Sequence, residues 1–276
     1  MAITAKEVNK LRQMTGAGMM DCKKALVETD GDFDKAIDLL RKKGQKVSAS
    51  RADRETTEGA VFIKTNDDKT EGVIVALSCE TDFVGKNEEF LKLGEAILDV
   101  AFKSNAADID ALKAEKIGDL SVAEKITELI GKIGEKIEIS EYVTVSGEAV
   151  VPYIHAGNKL GVLVALSGVN GSDVNDAGKD VGMQIAAMNP VAVDESGVDA
   201  ETVQKELEIG KEQALAEGKP ENIVEKIAQG KLKKFYKDNT LLNQQFVKDN
   251  SITVKDYLNS ITNGLTVAEF KRVSIG

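Results

Sequence analysis

Apolar positions along this chain change texture twice, from helical spacing to short near-continuous runs and then to thin stripes. Residues 4–44 predict three short helices. Val8, Leu11 and Met14 recur at helical spacing behind Thr4, which stands three positions before Glu7 in the arrangement of a capping box. Thr15-Gly16-Ala17-Gly18 interrupts the pattern. A second helix is expected from about Met19 to Glu28, with Met19, Cys22, Leu26 and Val27 available for packing. Asp30-Gly31-Asp32 turns the chain into a third, carrying Phe33, Ala36, Ile37 and Leu40 and expected to stop near Gly44. Gln45 to Thr57 has no apolar periodicity and reads as a polar linker or frayed helix.

From Glu58 onward strands alternate with helices. Ala60-Val61-Phe62-Ile63 reads as a strand, Asn66-Asp67-Asp68 as a hairpin turn, and Gly72 to Ser78 (GVIVALS) as a central strand buried on both faces. Phe90, Leu93, Ile97 and Val100 mark a helix, Val122 to Ile133 a second, and Ile137 to Val145 a third strand. The central strand then recurs as GVLVALS at Gly161 to Ser167. Setting Gly161 on Gly72 also aligns Ala149-Val150 with Ala60-Val61. The stretch Ala268 to Val273 resembles Ser140 to Val145, and a helix from Val254 to Ile261 precedes it. The scaffold is therefore duplicated. One stretch, Val198 to about Tyr236, has no counterpart in the first copy. Its thin stripes (Val203, Leu207, Ala214; Ile223, Ile227, Ala228) flank Gly218-Lys219-Pro220 and predict a projecting antiparallel helical hairpin.

Composition narrows the function classes. The chain has 276 residues, a formal net charge of −10 and no Trp, so its core is mostly aliphatic. An acidic chain is a poor general binder of nucleic acid. The charge is uneven: residues 1–55 hold twelve Lys/Arg against nine Asp/Glu, a net of +3, which leaves −13 for the remainder. A mildly basic head on an acidic body fits an interaction protein with an asymmetric contact surface. The opening MAITAKEVNK carries no apolar or Arg-rich leader, and no run approaches a membrane span, so a cytoplasmic protein is expected. Cys22 and Cys79 have no metal-ligand spacing and read as buried reduced thiols.

Catalytic signatures are missing: the chain has no phosphate loop of the GxxxxGK[ST] type, no GxGxxG, no HExxH and no GxSxG. Asp30-Gly31-Asp32-Phe33-Asp34 starts like a calcium loop but has Lys35 and Arg41 where Gly and Glu are required, so it reads as a helix cap. His155 stands alone and reads as a structural or interface histidine. The two copies differ most after the repeated string. The second continues into the bland turn Gly168-Val169-Asn170-Gly171, the first into Cys79-Glu80-Thr81-Asp82-Phe83-Val84. On these residues alone, Thr81 or Asp82 caps a following helix with Phe83 as its staple. Alternatively, the strand end presents an acid and an exposed aromatic to a partner. Met19 and Met20 are adjacent and cannot share a helix face, so at least one is expected to point outward.

The order of TGAGMMDCKKAL, GVIVALS with ETDFV, YIHAGNKLGVLVALS and a hairpin with EGKP at its tip and GKLKKF on its return resembles the bacterial elongation factor Ts family over essentially the whole chain. The resemblance implies an α+β fold: a ubiquitin-associated-like head of three helices, then a duplicated core with an antiparallel three-stranded sheet plus helices in each repeat and the inserted hairpin. It implies units at 1–55, 56–146 and 147–276. It implies a guanine-nucleotide exchange factor for GDP-bound elongation factor Tu, working by protein contact and not as an enzyme. No cofactor, direct nucleic-acid contact or membrane contact is expected. Thr81, Asp82, Phe83 and Val84 match the family loop implicated in dislodging magnesium from the GTPase. Arg12, Met19, Met20, Lys23 and His155 match partner contacts. Two departures stand out: the sequence closes at Gly276 directly after the last strand, without the helical module some members carry, and Gln245 replaces a usual proline, which is expected to loosen that turn. Two other classes match parts of the chain. One is an adaptor working through its basic head, the other a tandem-repeat enzyme with a site between the copies. The second lacks a nucleophile–base pair.

Overall fold

The computed structural model describes residues 3–155 and 157–276; Met1, Ala2 and Ala156 of the His155-Ala156-Gly157 segment lie outside the described residues. The head consists of α1 (Ala5–Thr15), α2 (Met19–Glu28) and α3 (Phe33–Arg51). Thr4 and Glu7 form the expected capping box on α1, and the Asp32 carboxylate accepts the Lys35 N–H to cap α3. Val8, Leu11, Cys22, Ala25, Leu26 and Ala36 make the small head core.

Two expectations fail in the head. Met14, Met19 and Val27 lie outside the core, at 55%, 50% and 56% exposure. The third helix does not stop near Gly44 but continues to Arg51, absorbing much of the expected linker. Gly44 is a contact, not a terminator. A side chain at Gly131 would stand 2.7 Å from the Gly44 Cα, so the two helices cross backbone against backbone. Polar side chains after α3 are likewise engaged, the Thr56 hydroxyl donating to Glu138 at 2.7 Å.

The first repeat runs β1 (Glu58–Thr65), β2 (Glu71–Cys79), α4 (Asp82–Gly85), α5 (Glu88–Ser104), α6 (Ile109–Ala114), β3 (Lys116–Ile117), β4 (Leu120–Ser121), α7 (Val122–Ile133) and β5 (Ile137–Ser146). The second runs β6 (Ala149–Ile154), β7 (Leu160–Ser167), α8 (Asn175–Met188), α9 (Ala200–Ala216), α10 (Glu221–Asn239), β8 (Gln245–Phe246), β9 (Asp249–Thr253), α11 (Val254–Ile261) and β10 (Thr266–Ser274). Each repeat builds an antiparallel three-stranded sheet, ordered β1-β2-β5 and β10-β7-β6, with the repeated string in the centre. The likeness extends to irregularities. A bulge opposite Ala76/Leu77 falls at Ser140, and one opposite Ala165/Leu166 falls at Ala268, the positions matched in the aligned closing strands. A two-stranded hairpin and a capping box (Ser121 with Glu124, Thr253 with Asp256) precede α7 and α11 alike.

Alternation along the central strands sorts their side chains between two interfaces. Val73, Val75 and Leu77 join α5 and α7 in one core; Val162, Val164 and Leu166 join α8 and α11 in another. Ile74 and Ala76 meet Leu163 and Ala165 in a third, between the sheets. The layers are helix, sheet, sheet, helix. The glycine that opens each string is required by this packing: a Cβ on Gly72 would stand 2.8 Å from Leu163, and one on Gly161 2.6 Å from Ile63.

α9 and α10 form the expected antiparallel hairpin, turning at Gly218 with φ +73°. Its seam keeps Ala214 and Ala228 of the expected stripes, both fully buried, and Val203, Leu207 and Ile227 half-buried, but centres on further residues. Gly210 and Ala214 face Val224, Ala228 and Leu232, while Ile223 is 38% exposed. A Cβ on Gly210 would stand 3.1 Å from the Ala228 Cα, so the helices approach closely at that crossing. At the root, the fully buried Gln184 donates to the Gln244 side chain and the Gln245 carbonyl, both at 3.1 Å, and accepts the Val247 N–H at 2.8 Å. The turn at Gln245 is thus pinned by a buried amide instead of loosened.

Candidate functional site

The exit of β2 and the entry of β5 lie side by side, and both adjoin polar loops. Cys79, the last residue of β2, is fully buried and pairs with Ile137 at the start of β5. Burial pushes the Cys79 thiol up to about 12, and the nearby carboxylates of Glu135 and Glu58 push the same way. At neutral pH the group is a protonated thiol, donating to the Thr81 carbonyl at 3.2 Å, and is not a nucleophile.

Beyond Cys79 the chain turns into α4. Thr81 has the extended backbone of an N-cap, yet its side chain makes no capping bond. Its hydroxyl and its N–H both donate to Glu135, at 2.8 and 3.1 Å. Phe83, with 83% of its surface exposed, packs as no staple. The local cap-and-staple reading therefore fails. The Thr81 hydroxyl is turned toward the Glu135 carboxylate and not toward the N–H groups of the next turn that a cap would accept, and a four-residue helix has no further turn against which Phe83 can pack.

The loop residues divide into two pairs. Thr81 and Val84 face inward, Val84 being 7% exposed, and Gly85 rests on the backbone of Gly59. Asp82 and Phe83 face outward. Asp82 pairs with Lys86 at 2.7 Å; that hydrogen bond, helped by the charges of Lys86 and Lys159, holds its carboxyl below the usual range. The turn thus displays a bare aromatic ring beside a carboxylate already matched by a lysine.

Glu80 is tied on both oxygens. One accepts the Lys136 N–H at 2.7 Å and the other meets the Arg54 guanidinium at 2.7 Å. Burial acts to raise its carboxyl, but these two partners outweigh that and hold it low.

The chain matches the protein-family model described as elongation factor TS over residues 80–276. It is 59% identical to elongation factor Ts of Amoebophilus asiaticus over 276 residues, covering 100% of both chains. It is 58% identical to that of Cytophaga hutchinsonii over 274 residues, covering 99% of each. Elongation factor Ts of Chlorobium phaeobacteroides is 42% identical over 284 residues, again covering 99% of each. The chain belongs to the elongation factor Ts family. Membership makes it a factor of translation elongation, and the role it implies is nucleotide exchange on elongation factor Tu.

Within this elongation factor Ts fold the remaining site residues lie in two places. His155 is exposed in the turn between β6 and β7, its Nδ1 hydrogen-bonded to the Tyr153 hydroxyl at 3.1 Å. That turn reaches the first repeat. The Asn158 carbonyl accepts the Val61 N–H at 2.7 Å, and Lys159 pairs with Glu58 at 2.5 Å. Glu58 is paired with Cys79 across β1 and β2, so Lys159 ties the His155 turn to the strand end that leads into the Phe83 loop. Arg12, Met19, Met20 and Lys23 are all exposed on α1 and α2 of the head, Met20 at 63%. Met14, assigned to the core by its spacing, joins Met19 and Met20 in flanking the Thr15–Gly18 loop with exposed thioethers. Among the described residues no helix is long and apolar enough to cross a membrane.

Three residues at these places carry no signal in the sequence. Glu135, Lys159 and Arg54 are ordinary charged residues far from Thr81 along the chain, and only the antiparallel pairing of β2 with β5 and the packing of the two sheets bring them to the loop. A charged pair flanking the start of β5, Glu135-Lys136, is the one trace that pairing register would have exposed.

Proposed function

We propose that this chain binds GDP-loaded elongation factor Tu and promotes GDP release, working by contact and without covalent chemistry. One observation carries the mechanism: Phe83 stands 83% exposed at the exit of a fully buried strand. A large apolar ring has no reason to face water in the free protein, and moving it into a partner releases about 1.5–3 kcal/mol. A GTPase grips GDP through the backbone amides of its phosphate loop and a magnesium ion bridging phosphate oxygens. A ring wedged against the elements beside that ion shifts several of those ligands at once. By linkage, the factor weakens nucleotide binding as much as nucleotide weakens the factor, so GTP loading then releases the factor.

In this reading Thr81, Asp82, Phe83 and Val84 disturb the magnesium and phosphate site. Phe83 supplies the wedge, and Thr81 and Val84 anchor it. Arg12, Met19, Met20 and Lys23 hold the nucleotide-binding domain, the adaptable methionines supplying apolar area and the cations long-range attraction. His155 meets a second domain of the GTPase. The chain divides into a head at 1–55 and core repeats at 56–146 and 147–276, and it acts in the cytoplasm. The test is release of fluorescent GDP from elongation factor Tu. Saturating factor accelerates release, Phe83→Ala slows it strongly while circular dichroism stays unchanged, and the absence of any acceleration by the intact chain overturns the proposal.

A further inference from the structure

α4 presents Phe83 although nothing within the helix holds it there. It has four residues, no side-chain cap and no staple, and isolated short helices are unstable. Val84 and Gly85 seat its far end on β1. The near end is held by a crossed pair of carboxylates. Glu80, just past β2, accepts the N–H of Lys136, just before β5; Glu135, just before β5, accepts the N–H and hydroxyl of Thr81, just past β2. Side chains here continue the β2–β5 ladder beyond its last backbone pair, Cys79 with Ile137. Charge-assisted bonds of this kind are about twice as strong as neutral ones.

The second repeat is an internal control. At the matching exit of β7 the corresponding connection is made by an uncharged side chain, Asn170 Nδ2 donating to the Gly168 and Asn263 carbonyls at 3.1 and 3.2 Å. No crossed pair of carboxylates joins the strand ends there: the turn's one carboxylate contact among the described residues is Glu148, just before β6, accepting the Val169 N–H at 3.1 Å, and the turn displays no aromatic ring. Of the two carboxylates, Glu80 also binds Arg54 and so has a role in tying the segment after α3; Glu135 makes side-chain bonds only to Thr81 among the described residues.

We propose that Glu135 is a positioning residue for nucleotide exchange: it locks the start of the Phe83 turn so that a load on the ring passes into the sheets instead of bending the loop. The inference rests on the wedge reading of Phe83. Glu135 itself touches no nucleotide or partner. It acts on how firmly Phe83 pushes, not on how tightly the factor binds.

The experiment measures labelled-GDP release from elongation factor Tu against factor concentration, for the full chain carrying Glu135→Gln, Thr81→Val or Phe83→Ala. Gln keeps the shape and one acceptor but sets an NH2 group against the second Thr81 donor. For Glu135→Gln the maximal release rate falls roughly tenfold, as expected for losing a hydrogen bond to a charged group, while the half-saturating concentration stays within about twofold. Amide hydrogen exchange in the free factor accelerates at residues 81–86 and not at 170–173. Thr81→Val, which removes only the hydroxyl, loses about threefold in maximal rate and carries the same test should Glu135→Gln fail to fold. A maximal rate unchanged by either substitution, with Phe83→Ala still slow, overturns the positioning role and leaves the wedge standing. A loss confined to the half-saturating concentration overturns it too, marking Glu135 as a contact. Phe83→Ala releasing GDP as fast as the intact chain overturns the wedge, and the positioning role with it.

Discussion

Strands β2 and β7 carry nearly the same residues and leave their sheets in different ways. Both are buried on two faces, both carry as second residue a glycine pressed against the opposite sheet, and both face a bulge at the same register. At its exit β7 enters a glycine and asparagine turn, Gly168 and Asn170 having φ +72° and +51°. β2 enters a turn held by carboxylates and tipped with phenylalanine. The contrast separates what the scaffold needs from what the contact needs. Both turns hold a carboxylate, Glu148 accepting the Val169 N–H at the β7 exit, but the crossed pair of carboxylates and the exposed ring occur only at the β2 exit.

Substitutions in matched pairs probe this contrast. The largest expected effect is functional. Phe83→Ala slows GDP release about 10- to 100-fold, in line with the roughly 1.5–3 kcal/mol that ring burial supplies. Asn170→Ala at the other exit leaves release within twofold, and stopped-flow fluorescence reads both. Equal losses would erase the functional asymmetry between the repeats.

Next come the shared positions. Gly72→Val and Gly161→Val each place a side chain inside contact distance of the facing sheet, and each lowers stability by about 1–3 kcal/mol in urea titration. A variant that tolerates valine at one position only would show that the two sheets do not meet as equivalents.

A single site tests whether the two repeats are stable independently. Gln184→Ala strips three hydrogen bonds from the root of the hairpin and leaves the Val247 N–H without its acceptor. The expected penalty is about 1–2 kcal/mol, seen as faster amide exchange at residues 244–247. The first repeat stays protected, and uniform loss of protection would mean the two repeats unfold as one.

The smallest effect is on pH. Folding holds the Glu80 carboxyl below its ordinary value, so its contribution is complete above about 4.3, the unfolded glutamate value, and is lost as pH falls through the lower folded value. Amide exchange of Lys136, corrected for its intrinsic pH dependence, therefore accelerates only in acid below that range. Loss of protection between pH 5 and 7 would remove Glu80 as the cause.

Much of this architecture can be read from residue order because its signals are local. Val73 to Leu77 and Val162 to Leu166 announce doubly buried strands, and the Thr4–Glu7 spacing announces a cap. Reading fails where a residue answers to something distant. Gly44 looks like a helix end because the glycine it meets, Gly131, lies in another unit of the chain. Met14 keeps perfect helical spacing, yet no neighbouring element covers it. The strands β3, β4 and β8 are two residues long, too short for any periodicity. At the site, Thr81 stands at a cap position and reads locally as a cap; the group that takes its hydroxyl, Glu135, is across the sheet. The wedge therefore became legible through family likeness, and its support only through the pairing of β2 with β5.

The hairpin's root has one further consequence. The chain departs and returns at adjacent points: the Val191 N–H donates to the Asn239 carbonyl at 2.9 Å, and Ala192 bridges Thr240 directly. To the core, everything between those points is a closed loop whose ends are already together. Its length is thus a free dimension of the molecule. Whole turns added to α9 and matched in α10 would move the tip at Gly218 outward by about 5.4 Å each and disturb no residue of either sheet, so reach can be tuned independently of the core.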